Sequence, residues 1–135
     1  MEATILVVED NRDNMELMEY LLTAFGYTPI LARGGADAIR HARQQPPDLI
    51  LMDLQMPDMD GHEVSAKIRA EPGLQGCAIV AVTAFAMVGD RERILAAGFD
   101  GYISKPIAPE SFVTEVEGFL APELHASAAA MQSGP

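Results

Sequence analysis

The sequence predicts an α/β protein with a doubly wound parallel sheet of five strands, in the order 2-1-3-4-5, and helices on both faces. Short apolar runs alternate along the chain with segments whose apolar residues recur at helical spacing. This alternation is typical of a parallel sheet with crossover helices. The runs are continuous and rich in β-branched residues, as expected for strands buried on both faces.

Five runs are the predicted strands. They cover residues 5–8, 28–32, 49–52, 78–82 and about 101–104. Each run is short and is followed by a polar residue, which favours strands over helices.

Five helices are predicted between and after these strands, from apolar residues three or four positions apart. The positions in chain order are Met15, Met18, Leu22 and Phe25; Ala36, Ile39 and Ala42; Val64 and Ile68; residues 88–97; and Phe112, Val113, Val116, Phe119 and Leu120. Gly26 and Gly98 stand where a glycine ends a helix, and Pro109 is suited to begin one.

The length of 135 residues is suited to one domain, which we assign to residues 1–121. Residues 122–135 are small and weakly apolar, so we expect a flexible or marginally helical tail. Residues 55–61 have the composition of a loop, with Pro57 and Gly61 as turn signals.

The composition excludes several classes of protein. A formal net charge of −11 disfavours binding to the phosphate backbone of a nucleic acid. No run approaches the roughly 20 apolar residues of a membrane helix, and no signal segment is present, so we expect a cytoplasmic protein with no membrane partner. The single cysteine, Cys77, precludes an intramolecular disulfide and is expected to pack as a small apolar residue.

Polar residues follow four of the predicted strands. They are Glu9 and Asp10, then Asp53, then Thr83, and finally Lys105, which precedes Pro106. Ligands bind outside the carboxyl ends of the strands in such sheets, so these side chains are expected to meet at one edge.

The chemistry of this group indicates Mg²⁺ and phosphate. Asp10 and Asp53 end neighbouring strands, which lie about 4.8 Å apart, and closely spaced carboxylates require a cation. Mg²⁺ is a hard cation held by one or two carboxylates, although an Asp at such a position also caps helices. Lys105 is a residue type that binds phosphate, and a cis bond to Pro106 would direct it inward.

In these motifs the chain resembles the receiver domains of two-component response regulators, the CheY-like superfamily, over about residues 3–121. The matching segments are residues 7–11 (VVEDN), 51–57 (LMDLQMP) with 60–61 (DG), 82–84 (VTA) and 102–106 (YISKP). Residues 80–87 and 104–107 are similar to those of DivK-type single-domain receivers.

The resemblance implies a role for each matching residue. Asp53 is the expected phosphoacceptor, and Lys105 and Thr83 are expected to hold the phosphoryl oxygens. Mg²⁺ is expected to bind Asp10, Asp53 and the backbone carbonyl of Gln55, with Glu9 acting through water. Tyr102 is expected to change rotamer together with Thr83.

The resemblance also implies partners. The phosphoryl donor is expected to be a histidine kinase or a histidine phosphotransfer protein, and the output a protein target, with a kinase among the candidates. The switching surface is expected to lie on the fourth helix, fifth strand and fifth helix, in a monomer or a phosphorylation-dependent dimer. Phe85, two residues after Thr83, is a candidate shield of the phosphoryl group.

Three other functions fit the sequence less well. A Mg²⁺-dependent aspartyl-phosphate phosphatase would carry a second Asp two residues after its nucleophile, where this chain has Gln55. A flavin-binding electron carrier would need a loop rich in glycine and hydroxyl groups after the first strand, and residues 9–16 (EDNRDNME) lack one. An adaptor that binds partners without phosphorylation is disfavoured by the intact set of site residues.

Overall fold

A five-stranded parallel sheet forms the centre of the protein in a computed structural model that describes residues 3–56, 59–84 and 88–126. The strands are β1 (Ile5–Val8), β2 (Ile30–Ala32), β3 (Leu49–Asp53), β4 (Ala78–Thr83) and β5 (Gly101–Ser104). Their order is β2-β1-β3-β4-β5, and every neighbouring pair is parallel. The predicted fold class and strand order are confirmed.

Five helices cover the two faces of this sheet. They are α1 (Arg12–Ala24), α2 (Gly35–Gln44), α3 (Gly61–Arg69), α4 (Val88–Ala96) and α5 (Phe112–Glu117). Because side chains alternate along a strand, Ile5 and Val7 pack into one core and Leu6 and Val8 into another. The first core contains residues of α1 and α5, and the second contains residues of α2, α3 and α4.

The helix ends follow the chemistry of their capping residues. Asn11 caps α1 because its side chain accepts a hydrogen bond from the backbone N–H of Asn14, at 2.9 Å. Gly26 and Gly98 have φ angles of +94° and +99°, so each ends its helix in the left-handed conformation that glycine favours. Both glycine stops are as predicted.

Two element boundaries differ from the prediction. β2 begins at Ile30 rather than residue 28. Tyr27 still bonds to the end of α1 through the carbonyl of Leu22, at 2.9 Å, and Pro29 has no backbone N–H to donate to a neighbouring strand. The regular part of α5 begins at Phe112 rather than near Pro109. Before it, the carbonyl of Ala108 accepts bonds from Ser111 and Phe112, which form the first turn.

A short antiparallel hairpin occupies part of the segment predicted as a loop. Gln55–Met56 pairs with Met59–Asp60, and α3 starts directly afterwards at Gly61. Asp60 caps α3 by accepting a hydrogen bond from the backbone N–H of His62, at 2.9 Å. Two-residue strands leave too short a pattern to be recognised in the sequence.

The first residues after the predicted domain pack against the end of α5. Pro122–Leu124 forms a single 3₁₀ turn, and His125 Nε2 donates to the carbonyl of Glu117 at 2.8 Å. The Tyr27 hydroxyl donates to Glu117 and accepts from the backbone N–H of Ala126 at 3.0 Å. Across the described residues, no helix is long and apolar enough to cross a membrane.

Candidate functional site

The register of the sheet brings the candidate residues to one edge. Val8 of β1 pairs with Met52 of β3, so the next residues, Glu9 and Asp53, leave adjacent strands side by side. Asp53 itself pairs with Val82 of β4, which places Thr83 one step beyond it. Thr83 pairs in turn with Ser104, the residue before Lys105.

Three carboxylates form a cluster at this edge. One ligand oxygen from each of Glu9, Asp10 and Asp53 lies within 4.8 Å of the others. Glu9 and Asp53 are buried, with relative exposures of 0% and 2%, whereas Asp10 is exposed. Two buried acids at this distance require a compensating positive charge.

Lys105 supplies part of that charge. Its Nζ lies 3.0 Å from Glu9 Oε1 and 3.2 Å from Asp53 Oδ1. The backbone N–H of Lys105 donates to the carbonyl of Thr83 at 2.9 Å, which continues the β4–β5 pairing beyond the last strand residue. The bond from Lys105 to Pro106 is cis.

Backbone donors orient both buried carboxylates. The N–H of Gln55 donates to Asp53 Oδ1 at 3.0 Å, and the N–H of Asn11 donates to Glu9 Oε2 at 3.2 Å. These two donors were not predicted from the sequence. The only available signal was the tendency of Asp to accept a bond from the backbone two residues further on, which is common in turns.

These surroundings change the pKa of each group. Burial is the main cause that raises the pKa of Glu9 to about 7, with the neighbouring Asp53 adding to it and Lys105 opposing it. Burial also acts to raise the pKa of Asp53, but bonds from Glu9, Gln55 and Lys105 outweigh it, so that pKa is lowered. Burial opposes the charge of Lys105, but the two acids outweigh it and raise the pKa of the lysine.

One oxygen of the cluster lacks a directed hydrogen bond. Glu9 Oε1 is buried and close to Lys105 Nζ, yet no donor among the described residues meets it with hydrogen-bonding geometry. We interpret the contact as ionic. A buried oxygen of this kind, beside two further carboxylates, fits a hard divalent cation such as Mg²⁺.

The remaining predicted residues lie around this cluster. Thr83 is buried at the end of β4, and Tyr102 is half-buried in β5. Tyr102 also lines a cleft of about 490 Å³ together with Arg91, Leu95 and Phe119, which belong to or lie beside α4 and α5. Phe85 lies outside the described residues.

Comparison with known families decides the classification. The profile described as "Response regulator receiver domain" matches residues 5–117, which is most of the chain. The chain belongs to the response regulator receiver family. The resemblance found in the sequence is therefore confirmed.

Individual relatives agree with this assignment. The receiver is 43% identical to the polar-differentiation response regulator DivK of Brucella ovis over 120 residues, which cover 89% of this chain and 98% of that protein. DivK of Brucella melitensis gives the same values. The similarity therefore extends over nearly the whole length of DivK.

Solved structures give the same result. The chemotaxis protein CheY4 of Vibrio cholerae superposes with a TM-score of 0.83 at 25% identity, covering 89% of this chain and all of that one. The receiver domain of a sensor histidine kinase from Pseudomonas aeruginosa gives 0.79 at 36% identity, covering 88% and 98%. That neighbour is described with a magnesium ion coordinated in its active-site cleft.

Proposed function

We propose that this receiver accepts a phosphoryl group from a phosphohistidine onto Asp53 and then changes a surface that binds protein partners. The donor is a histidine kinase or a histidine phosphotransfer protein. The observation that carries the proposal is the contact of one lysine ammonium with two buried carboxylates, beside a third carboxylate. Family membership supports it.

Asp53 is better suited than Glu9 to act as the nucleophile. Its pKa is lowered, so it is a carboxylate at neutral pH, whereas the pKa of Glu9 is raised to about 7. In the proposed transfer, an Asp53 oxygen forms a bond to phosphorus as the bond from phosphorus to the imidazole nitrogen breaks. The backbone N–H of Gln55 holds Oδ1 and so fixes the orientation of the carboxylate.

The residues of the cluster are suited to hold Mg²⁺. Asp10 and Asp53 would bind it directly, with the backbone carbonyl of Gln55 and with Glu9 through water. When bound, the ion neutralises charge on the phosphoryl oxygens, and the loose transition state of phosphoryl transfer depends on such neutralisation. The magnesium described in the Pseudomonas receiver supports this part of the proposal.

Lys105 and Thr83 are proposed to receive the phosphoryl oxygens. The ammonium of Lys105 already lies 3.2 Å from Asp53 Oδ1, so a phosphoryl group on Asp53 would lie within its reach. Thr83 follows Val82, the pairing partner of Asp53, and its carbonyl accepts the N–H of Lys105. A phosphoryl group on Asp53 would therefore draw both Lys105 and Thr83 toward its oxygens.

The output surface is proposed to lie on α4, β5 and α5. Movement of Thr83 toward the phosphoryl group would change the space beside Tyr102, one strand away. Tyr102 lines the cleft between α4 and α5, so its rotamer would alter that surface and shift the balance between two populations. We propose stoichiometric phosphorylation with slow self-dephosphorylation, not turnover of a substrate.

Phosphorylation with a small donor tests the proposal. Purified protein is incubated with acetyl phosphate and Mg²⁺, and intact mass is measured. One phosphoryl adduct is expected, and hydroxylamine should remove it because an acyl phosphate is an activated carboxyl derivative. EDTA should prevent its formation.

Two variants locate the reaction. Asp53→Asn should gain no adduct, whereas Asp37→Asn, which removes an acid on α2 outside the cluster, should be phosphorylated like the wild type. An equal adduct on Asp53→Asn, or none on the wild type, would refute the proposal. Lys105→Ala is expected to reduce binding of the output partner more strongly than it reduces phosphorylation, each relative to the wild type.

A further inference from the structure

A groove between α2 and α3 lies away from the phosphorylation site. It has a volume of about 630 Å³, and its lining is Ala36, Ile39, Arg40, Arg43, Gln44 and Lys67. Positions 36, 39, 40 and 43 are spaced as i, i+3, i+4 and i+7, so they form one stripe along α2. None of the lining residues belongs to the carboxylate cluster or to the cleft beside Tyr102.

The groove combines an apolar floor with a cationic rim. Ile39 is half-buried and packs against the core, and Ala36 is a small exposed residue that permits close approach. Arg40, Arg43 and Lys67 are all exposed around this floor. Among the described residues that line the groove, none is acidic.

This concentration of positive charge contrasts with the rest of the chain. Three of its nine Lys and Arg residues line one groove, while the chain as a whole carries a net charge of −11. An acidic partner would be repelled by most of the surface. At the groove it would instead meet three exposed cationic side chains.

The two arginines keep donors available for such a partner. Arg40 contacts Asp37 on its own helix, and Arg43 Nε lies 2.8 Å from Glu71 Oε1. Each guanidinium meets one carboxylate but has five N–H donors, and both side chains remain more than 60% exposed. Of the described residues, none forms an ion pair with Lys67.

We propose that the groove between α2 and α3 binds an acidic amphipathic helix of a partner protein. Leucine-like side chains of that helix would contact Ala36 and Ile39, and its carboxylates would pair with the three cations. A helix suits the site because the groove follows the stripe on α2 for two turns. The interaction does not depend on phosphorylation of Asp53.

Fluorescence anisotropy tests the proposal with the unphosphorylated, full-length chain. The probe is a labelled helical peptide with a stripe of leucines flanked by glutamates, and its control has glutamine in place of every glutamate. We expect the acidic peptide to bind about tenfold more tightly than the control peptide. Raising NaCl to about 0.3 M should weaken its binding.

Charge reversals locate the site. Lys67→Glu and the double change Arg40→Glu with Arg43→Glu should each weaken binding about tenfold. Arg12→Glu, the same charge change at an exposed position on α1, should change it by less than about twofold. Lys67→Glu breaks no ion pair among the described residues, so its result stands even if the double variant fails to fold.

Four outcomes would overturn the proposal. They are absence of binding to the wild type, equal binding of the glutamine peptide, and an equal loss in Arg12→Glu. The fourth is self-association in sedimentation velocity that Lys67→Glu abolishes, since the occupant would then be a second copy of the chain.

Discussion

The charge of Lys105 stabilises two buried acids at once. Its ammonium lies within 3.2 Å of both Glu9 and Asp53, and its own side chain is only 14% exposed. Burial, with Asp53 adding to it, raises the pKa of Glu9, whereas bonds from Glu9, Gln55 and Lys105 outweigh burial at Asp53 and lower its pKa. Together with Glu9 and the backbone N–H of Gln55, Lys105 thus helps the proposed phosphoacceptor to stay ionised inside the protein.

Removal of that ammonium should therefore destabilise the metal-free protein. Lys105→Ala leaves two buried carboxylates without their cation, and we expect the free energy of unfolding to fall by about 3 kcal/mol. Urea denaturation in EDTA measures it. Lys67→Ala, at an exposed lysine, should stay within about 0.5 kcal/mol of the wild type. Equal losses in the two variants would show that Lys105 has no special role in stability.

At the scale of elements, the start of α3 packs directly against the end of β3. A Cβ on Gly61 would lie 3.0 Å from the carbonyl oxygen of Asp53 and 3.1 Å from the Cα of Leu54. Both are backbone atoms, so they cannot rotate away as a side chain does. The absence of a side chain at Gly61 therefore lets α3 begin beside the proposed phosphoacceptor.

Gly61→Ala should separate these two elements and destabilise the protein by about 1–3 kcal/mol, the usual effect of overpacking. Gly76→Ala is the matched control, because a Cβ there meets no atom within 4 Å. The control should be neutral or slightly stabilising. Chemical denaturation of both variants measures the difference, and a neutral Gly61→Ala would mean that the backbone adapts to the methyl group.

Tyr27 connects three elements: the chain entering β2, the end of α5 and the segment that follows it. Its hydroxyl contacts Glu117 and Ala126, and the residue is only 4% exposed. Burial, followed by the hydrogen bond to Glu117, raises the pKa of Tyr27 from 10.0 to about 12. The ionised phenolate is therefore disfavoured in the folded protein.

The stability of the protein should consequently fall in alkali. Because the folded pKa is the higher one, the contribution of Tyr27 is complete below pH 10 and is lost between about pH 10 and 12, by about 2 kcal/mol. Tyr27→Phe should remove that part of the loss, and Tyr20→Phe, at a residue that is 70% exposed, should not.

Denaturant midpoints between pH 10 and 12 measure the stability of the wild type and of both variants. Parallel profiles for the wild type and Tyr27→Phe would contradict the expectation. The Cys77 thiol is present in both the wild type and Tyr27→Phe, so the difference between their stability profiles reports Tyr27 alone.

The elements were predicted to different degrees, for physical reasons. Continuous apolar runs identified β1, β3 and β4, since strands buried on both faces carry a dense signal, and the shorter run Tyr102-Ile103 identified the edge strand β5. The start of α5 was misplaced because the first turn after Ala108 is irregular, and the hairpin at Gln55 was missed because its strands have two residues. Local propensity does not contain this information.

At the scale of the whole molecule, the strand order places polar residues that are far apart in the sequence at one edge of the sheet. The sequence identified Glu9, Asp10, Asp53 and Lys105 as neighbours, because parallel strands share a carboxyl edge, and the structure brings them together. The bonds from Asn11 and Gln55, and the ionic contact of Glu9, depend on loop conformation. The sequence does not specify that conformation at the needed precision.

The whole molecule should also become more stable when Mg²⁺ is added. A cation that binds only the folded cluster stabilises it by mass action, by about 2.7 kcal/mol at a hundred times its dissociation constant. For a domain of this size, the melting temperature should rise by about 10 °C. Because the chain carries a charge of −11, any salt screens repulsion, so NaCl at equal ionic strength is the control.

Variants distinguish a site from general screening. Asp10→Asn and Asp53→Asn each remove a carboxylate of the cluster, and we expect both to lose most of the increase in melting temperature. Asp37→Asn, on α2 outside the cluster, should retain it. An increase that NaCl reproduces, or that all three variants keep, would mean that Mg²⁺ acts on the overall charge of the chain. An increase that depends on Asp10 and Asp53 would instead place the cation between β1 and β3, the two strands at the centre of the winding.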